Sequence, residues 1–243
     1  KMNTSKFHAQ MIIFSTFMAM QKHDVIVIGA GAAGLLAAGR AGSMGARVLI
    51  IEKMERPGRK LLITGKGRCN ITNDADLKDF ISHVHPTGNF LKPAFSRFFN
   101  KDLITFLNDQ GLATVLERGK RYFPASGNSA DVLDSLMKWV KAQGAVFRYN
   151  EPVEHLLVND DVVRGVKTST GEYSADGVIL ATGGKSYPAT GSSGDGYKIA
   201  TQAGHTLIYP RPALVPLETR DKIPSVINDL ILKNVRIAVW IDG

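Results

Sequence analysis

The sequence predicts an α/β fold on a parallel sheet, joined to an antiparallel β-meander and followed by a proline-punctuated, strand-like segment. Three observations predict it. Apolar runs of strand length, "DVIVI", "RVLII" and "GVILA", recur along the chain, and helical-period segments separate them. Three further short strand-like runs cluster between turn signals just before the last of these. The 243 residues, 44% hydrophobic, suffice for one ordinary core with part of a second unit beyond it.

In chain order, residues 1–23 read as an N-terminal extension without a fold role. Their apolar run from Met11 to Met20 is too short to cross a bilayer and lacks a small-residue cleavage site. Asp24 to Ile28 is a buried strand that runs into "GAGAAG". "LLAAGRAGSMG" supplies a helix ended by Gly45, and "ARVLIIE" the next strand, which completes a β-α-β unit with the right-handed crossover. The bare, basic segment "GRKLLITGKGRCNITN" follows and reads as a loop. "LKDFISHV", "PAFSRFF" and "DLITFLNDQG" predict satellite helices packed on the sheet. "LATVLERGKRYFPASG" predicts strand and turn, with Ser129 as N-cap of the helix "ADVLDSLMKWVKAQ". "AVFRY", "VEHLLV" and "VVRGVKT" predict the meander. "ADGVILATGG" is again a buried strand, and "TGSSGDGYKIATQAG" a glycine-rich turn opening a helix. After His205 the chain becomes proline-punctuated and strand-like.

The chemistry concentrates at glycines. Gly29, Gly31 and Gly34 form G-x-G-x-x-G between a strand and a helix, with Ala33 inside the motif and Glu52 ending the next strand. The first glycine permits a tight turn, the second lets backbone approach a pyrophosphate, and the third lets helix and strand pack closely. The helix N-terminus then faces the phosphates. Glu52 suits the hydroxyls of an unphosphorylated adenosine ribose. NAD and FAD both satisfy this much. Instead of repeating the β-α-β rhythm expected of a simple nicotinamide-binding fold, the chain offers two more glycine-rich segments, Gly58 to Asn73 and Ala181 to Gly196. Several bare loops suit the length of FAD.

"DVIVIGAGAAGLLAA", "GRKLLITGKGRCNITN", "RYFPASGNSADVL", "LATGGKSYPATGSSGDGYKIA" and "PALVPL" occur in this order, and together they resemble the BaiN/RdsA family of bacterial NAD(P)/FAD-dependent oxidoreductases, the aminoacetone oxidase-like flavoproteins. The resemblance runs from Asp24 to Leu217, and the "ATGG" piece also resembles fumarate-reductase-type flavoproteins. It implies a three-layer ββα Rossmann-like domain over residues 24–205 that binds FAD, and the beginning of an inserted substrate or cap domain over 206–243. Members of the family are longer, so a missing C-terminal return segment is expected. The segment from Gly58 to Asn73 would cradle the cofactor: Lys53, Arg59, Lys60 and Arg68 near it, with Arg59, Lys60 and Arg68 offsetting pyrophosphate charge. Gly65, Gly67, Cys69 and Asn70 would bring backbone to the flavin or its ribityl chain. Thr182 and Gly183 would close over the cofactor's middle, and Val153 would touch adenine. The implied activity is hydride transfer through flavin N5 to or from a small molecule, with NAD(P)H a transient co-substrate. The alternatives are a non-catalytic FAD-binding fragment and an RNA-associated flavoprotein.

Other residues read less sharply. Asp195 suits either a cofactor hydroxyl or the cap of the helix that starts at Gly196. Cys69, the only cysteine, is more readily a packing residue than a reactive thiol, and its solitude excludes internal disulfides and fits a reducing cytoplasm. The histidines show no metal-ligand spacing, and Tyr122 and Tyr187 read as packing residues. The formal charge of +8 permits an anionic partner. From Lys53 to Arg68, however, six basic residues face only Glu55, which points to a local anion. With no basic helix and no aromatic-basic interleaving, nucleic acid is disfavoured. No membrane partner is expected, and no catalytic residue is legible.

Overall fold

A computed structural model describes residues 22–212 together with 238 and 240. The N-terminal extension up to residue 21, the "PALVPL" segment and most of the expected insertion lie outside the described residues. The chain divides into two units, Lys1–Leu207 and Ile208–Gly243, and the described strands and helices lie in the first.

β1 (His23–Ile28) lies at the centre of a parallel array, flanked by β2 (Val48–Ile51) and by β9 (Glu172–Leu180). Registers Val25↔Val48 and Ile28↔Leu180 fix the three strands. Both faces of this array are buried, which is why the strands are continuously apolar rather than alternating. Val27, Val48 and Ile50 face a core completed by α1 (Ala32–Ser43) and α6 (Ser129–Ala142). Ile26, Ile28, Leu49 and Ile51 face the other way, onto Val166 and Ala175. The layers are therefore helices, parallel sheet and meander, the predicted three-layer order.

The meander itself departs from the sequence reading. "AVFRY" is not part of it. β6 (Val146–Arg148) follows α6 and pairs in parallel with β2, Leu49↔Val146 to Ile51↔Arg148. A strand reached through a helical crossover is returned in the parallel sense, and that outweighs the hairpin signal of the Asn-Glu-Pro turn after it. The meander's three strands are β7 (Val153–Asn159), β8 (Val162–Thr168) and the first residues of β9, paired Gly165↔Ser174 to Lys167↔Glu172. From Ala175 onward β9 changes partner and runs beside β1.

The glycine-rich segment after β2 is only partly a loop. It forms α2 (Arg59–Ile63) and a 3-10 turn over Thr64–Gly67, in which Gly65 and Lys66 are left-handed, and ends in β3 (Thr72–Asn73). β3 pairs with β5 (Arg121–Pro124), which pairs with β4 (Thr114–Glu117) in a small antiparallel sheet. Of the satellite helices, α5 (Asn100–Asp109) reaches the main core through Leu107. By contrast, α3 (Leu77–Ser82) and α4 (Lys92–Phe95) contribute Phe80 and Phe95 to a separate aromatic cluster with Phe99. Ser129 is not the N-cap of α6. Asn128 caps it, accepting from the Ala130 N–H at 3.0 Å, while Ser129 Oγ donates to the Leu62 carbonyl at 2.8 Å and ties α6 to α2. No helix among the described residues is long and apolar enough to cross a membrane.

Candidate functional site

At the carboxyl ends of β1, β2 and β9 lies a cavity of about 660 Å³. It is walled by the β1–α1 turn, by α2 and the strand leading into β3, by the start of β7, and by the strap of residues 181–195 between β9 and α7 (Asp195–Gln202). Leu107, Val132 and Leu136 line its apolar side. Its volume falls within the range of roughly 300–1,000 Å³ usual for ligand sites.

The β1–α1 turn assigns its three glycines distinct duties. At Gly29 (φ +103°) a Cβ would lie 2.6 Å from the Ala181 carbonyl oxygen, so the strand end admits no side chain. At Gly34 a Cβ would lie 1.9 Å from the Gly29 carbonyl oxygen, so this glycine sets the distance between helix and turn. At Gly31 a Cβ would meet nothing within 4 Å, and the residue lines the cavity with bare backbone. Glu52 fastens the turn from the next strand. Its Oε2 accepts from the Ala30 N–H at 2.7 Å and its Oε1 from the Met54 N–H at 2.9 Å. A carboxylate has about four acceptor positions, so roughly two remain for hydroxyls in the cavity. Bare turn, helix N-terminus and spare carboxylate lone pairs together fit an adenosine diphosphate moiety.

The other expected residues separate into two groups. Ala33, Lys53, Arg59, Lys60, Cys69, Asn70, Val153, Thr182, Gly183 and Asp195 line the same cavity. Gly34, Gly65, Gly67 and Arg68 do not. The cations expected to offset phosphate charge have protein partners. Arg59 pairs with Glu55 at 2.8 Å, and Arg68 pairs with Glu117 and lies 4.4 Å over the Phe123 ring, turned toward the small sheet. Lys53 Nζ donates to Asp195 and to Ser193 Oγ, each at 2.5 Å. Lys60 Nζ reaches the Ser186 carbonyl at 3.0 Å and its hydroxyl at 2.7 Å, both neutral acceptors. Two lysines thus strap residues 186–195 to the opposite wall. Asp195 is not the cap of α7; Gly194 holds that position, and Asp195 is the helix's first residue. Burial raises the Asp195 carboxyl, but hydrogen bonds from Lys53 and Ser193 outweigh it and leave the pKa lowered.

Cys69 is 6% exposed and left-handed (φ 58°), and burial pushes its thiol up against a weaker opposing hydrogen bond with Thr64. Neither tyrosine lines the cavity. Tyr122 Oη meets Asp74 at 3.4 Å, and Tyr187 is 66% exposed, which corrects its reading as a packing residue. No cluster of three or more metal-ligating side chains exists among the described residues.

Among the lining residues that escaped the sequence reading is a buried carboxylate. Glu151 is 5% exposed, and its carboxylate accepts from Thr168 at 2.6 Å, from Thr170, and from Tyr173 at 3.3 Å. Burial raises its pKa, and the three hydroxyl bonds outweigh burial, so the carboxyl titrates below its usual range. Its backbone N–H donates to the Glu52 carbonyl at 3.1 Å. Glu151 therefore joins the end of β2 to the meander beside Val153. In the sequence it stood inside a turn signal, and nothing marked it as buried.

The chain is 33% identical over 197 residues to the ribosomal RNA dihydrouridine synthase of Escherichia coli, covering 81% of this chain and 48% of that protein. It is 36% identical over 198 residues to the 3-dehydro-bile acid delta(4,6)-reductase of Clostridium scindens, covering 80% and 47%. The chain thus spans about half the length of the curated relatives it matches. Among solved structures, the open conformation of a flavocytochrome c3 fumarate reductase matches with a TM-score of 0.56 at 24% identity, over 80% of this chain and 43% of that one. Thermovibrio ammonificans THI4 matches at 0.51 and 14%, over 85% and 72%. At these identities the two structures speak for the Rossmann-like fold alone. Residues 23–216 match the HI0933-like protein Rossmann domain, and the chain belongs to that family.

Proposed function

We propose that this chain is the cofactor-binding part of an FAD-dependent reductase acting on a carbon–carbon double bond conjugated to a carbonyl. The observation that carries the reading is the β1–α1 turn, where Gly31 leaves bare backbone at the cavity and Glu52, already fixing Ala30 and Met54, keeps acceptor positions free. Glu52 and the Gly29–Gly34 turn would hold the adenosine and pyrophosphate, Glu151 and Val153 would border the adenine, and Cys69, Asn70, Thr182 and Gly183 would border the remainder. The bound flavin would supply hydride transfer through N5. The chain's own residues would position the ring and exclude water, with Leu107, Val132 and Leu136 as the apolar wall.

The substrate bond is inferred from what relatives are named for: a dihydrouridine synthase, a delta(4,6)-reductase of a 3-dehydro bile acid and a fumarate reductase share reduction of such a bond as their common chemistry. NAD(P)H is the proposed donor, the cytoplasm the proposed compartment, and residues 206–243 the proposed start of a substrate-covering domain. Excess positive charge favours an anionic carrier of that bond over a neutral one, and the two relatives named for ribosomal RNA bring nucleic acid back among the substrates. The test is the visible absorption spectrum of the purified chain, with the released chromophore identified by mass. Bound FAD that bleaches anaerobically with NAD(P)H supports the reading. A colourless chain that takes up neither FAD nor ADP refutes it.

A further inference from the structure

We propose that the β4–β5 hairpin is a docking surface for the phosphodiester backbone of single-stranded RNA, which it leads to the cavity; this rests on the flavin-reductase reading above. The hairpin's tip, Arg118-Gly119-Lys120-Arg121, is exposed throughout. The fold brings to it a second basic pair from fifty residues earlier, because Arg68 bonds Glu117 and exposed Lys66 lies on the same left-handed turn. Lys66, Arg68, Arg118, Lys120 and Arg121 thus lie on the hairpin and on the turn bonded to it, beside Glu117 and Asp74. Glu117 is paired with Arg68, and Arg121 stands opposite Glu117 across the hairpin. Both guanidiniums lie over Phe123, at 4.4 and 5.7 Å from the ring centre. That ring holds the two planar forks in place, and such forks match phosphate oxygens.

Position supplies the second argument. Cys69, Asn70 and Ile71 line the cavity, and the same segment continues into β3, which pairs with β5 of the hairpin. The Ile71 N–H donates to the Tyr122 carbonyl at 2.8 Å, and β3 then pairs Thr72↔Tyr122 and Asn73↔Arg121. A strand of RNA held along β5 therefore runs beside the cavity wall. Half-exposed Tyr122 offers a face for a base to stack on. The sequence concealed this patch, since its basic residues form no helix and are split between two segments.

The test measures fluorescence anisotropy of a labelled oligouridylate with the intact, FAD-loaded chain across a salt series. The variant Lys120→Gln/Arg121→Gln is compared with Lys138→Gln/Lys141→Gln, which removes the same charge from exposed positions on α6. If both hairpin cations meet phosphates, the log–log salt slope falls by about 1.4 in the hairpin variant, at roughly 0.7 per contact. Affinity should drop on the order of tenfold, with the control unchanged and the flavin spectrum intact in both. Equal losses in the two variants, or no affinity for RNA alongside tight binding to anionic phospholipid vesicles, overturns the proposal. A chain that binds RNA through the hairpin but never takes up FAD refutes the flavin reading and leaves the docking surface standing. An FAD-loaded chain indifferent to RNA does the reverse.

Discussion

Glu52 does two jobs with one carboxylate, and Glu52→Ala and Glu52→Gln should separate them. The Ala30 residue it serves is fully buried, so truncation strands the Ala30 N–H away from water. An unsatisfied buried donor costs about 1–3 kcal/mol, and the second bond, to Met54, was to a charged acceptor and adds a smaller loss. We expect Glu52→Ala to cost about 2–3 kcal/mol, or roughly 4–12 °C in melting temperature for a chain of this size. Glutamine keeps one acceptor and turns an NH2 toward the other backbone donor, so it should cost about half as much, not nothing. The assay is far-UV circular dichroism melting of the apo chain, followed by FAD titration. Both variants should lose FAD affinity, alanine more. A Glu52→Ala chain melting within about 1 °C of wild type would show that the carboxylate does not hold the turn. A Glu52→Gln chain equal to wild type in both measurements would show that two acceptors are not needed.

The Glu151 carboxyl is depressed in the folded chain, so its stabilising contribution is complete above the unfolded value of about 4.3 and is lost as pH falls through the lower folded one. Acid unfolding curves should therefore be shallower for Glu151→Gln below about pH 5, and parallel slopes would count against an ionised clamp. Gly34→Ala drives a methyl to within 1.9 Å of a backbone oxygen, and it should abolish FAD uptake and lower the melting temperature; a folded variant with normal uptake would refute the close-packing role. Cys69 should be alkylated by iodoacetamide far more slowly in the native chain than in denaturant at pH 8, because burial both shields the sulfur and keeps it protonated. Comparable rates would contradict its placement.

The parallel sheet was legible because burial on both faces leaves one signal, unbroken apolar runs, and those same runs terminate at the glycines that define the turn. Pairing was less legible. β6 and the first strand of the meander are both short strand-like runs, and the crossover helix before β6 decides its direction. The partner of Arg68 was illegible for a related reason. Charge along a sequence does not reveal which carboxylates arrive from elsewhere, and Glu117 lies 49 residues from Arg68. Glu151 was invisible because its three hydroxyl partners come from β8, β9 and the turn between them. A buried carboxylate announces itself through long-range contacts, which a local pattern does not contain.

That redistribution of charge changes what the lysines at the cavity should do. If Lys53 served chiefly to attract the pyrophosphate, neutralising it would slow association and weaken its salt dependence. The geometry gives it another task, since its ammonium is shared between Ser193 and Asp195 and ties the end of β2 to the strap that borders the cavity. A tie that holds one wall of the cavity to another acts on escape more than on entry. Lys53→Met should therefore leave the FAD association rate and its salt dependence nearly unchanged and raise the dissociation rate, by about tenfold if the loss approaches 1.4 kcal/mol, as one broken and half-exposed ion pair with its hydroxyl bond allows. Asp195→Asn should show the same asymmetry, because it cuts the same tie from the other side without removing a cation. Stopped-flow flavin fluorescence measures both rates. If Lys53→Met slows association while Asp195→Asn does not, the lysine is a phosphate ligand after all; if both act only on escape, the cavity holds its ligand's charge with backbone and helix N-terminus, and its cations hold the walls.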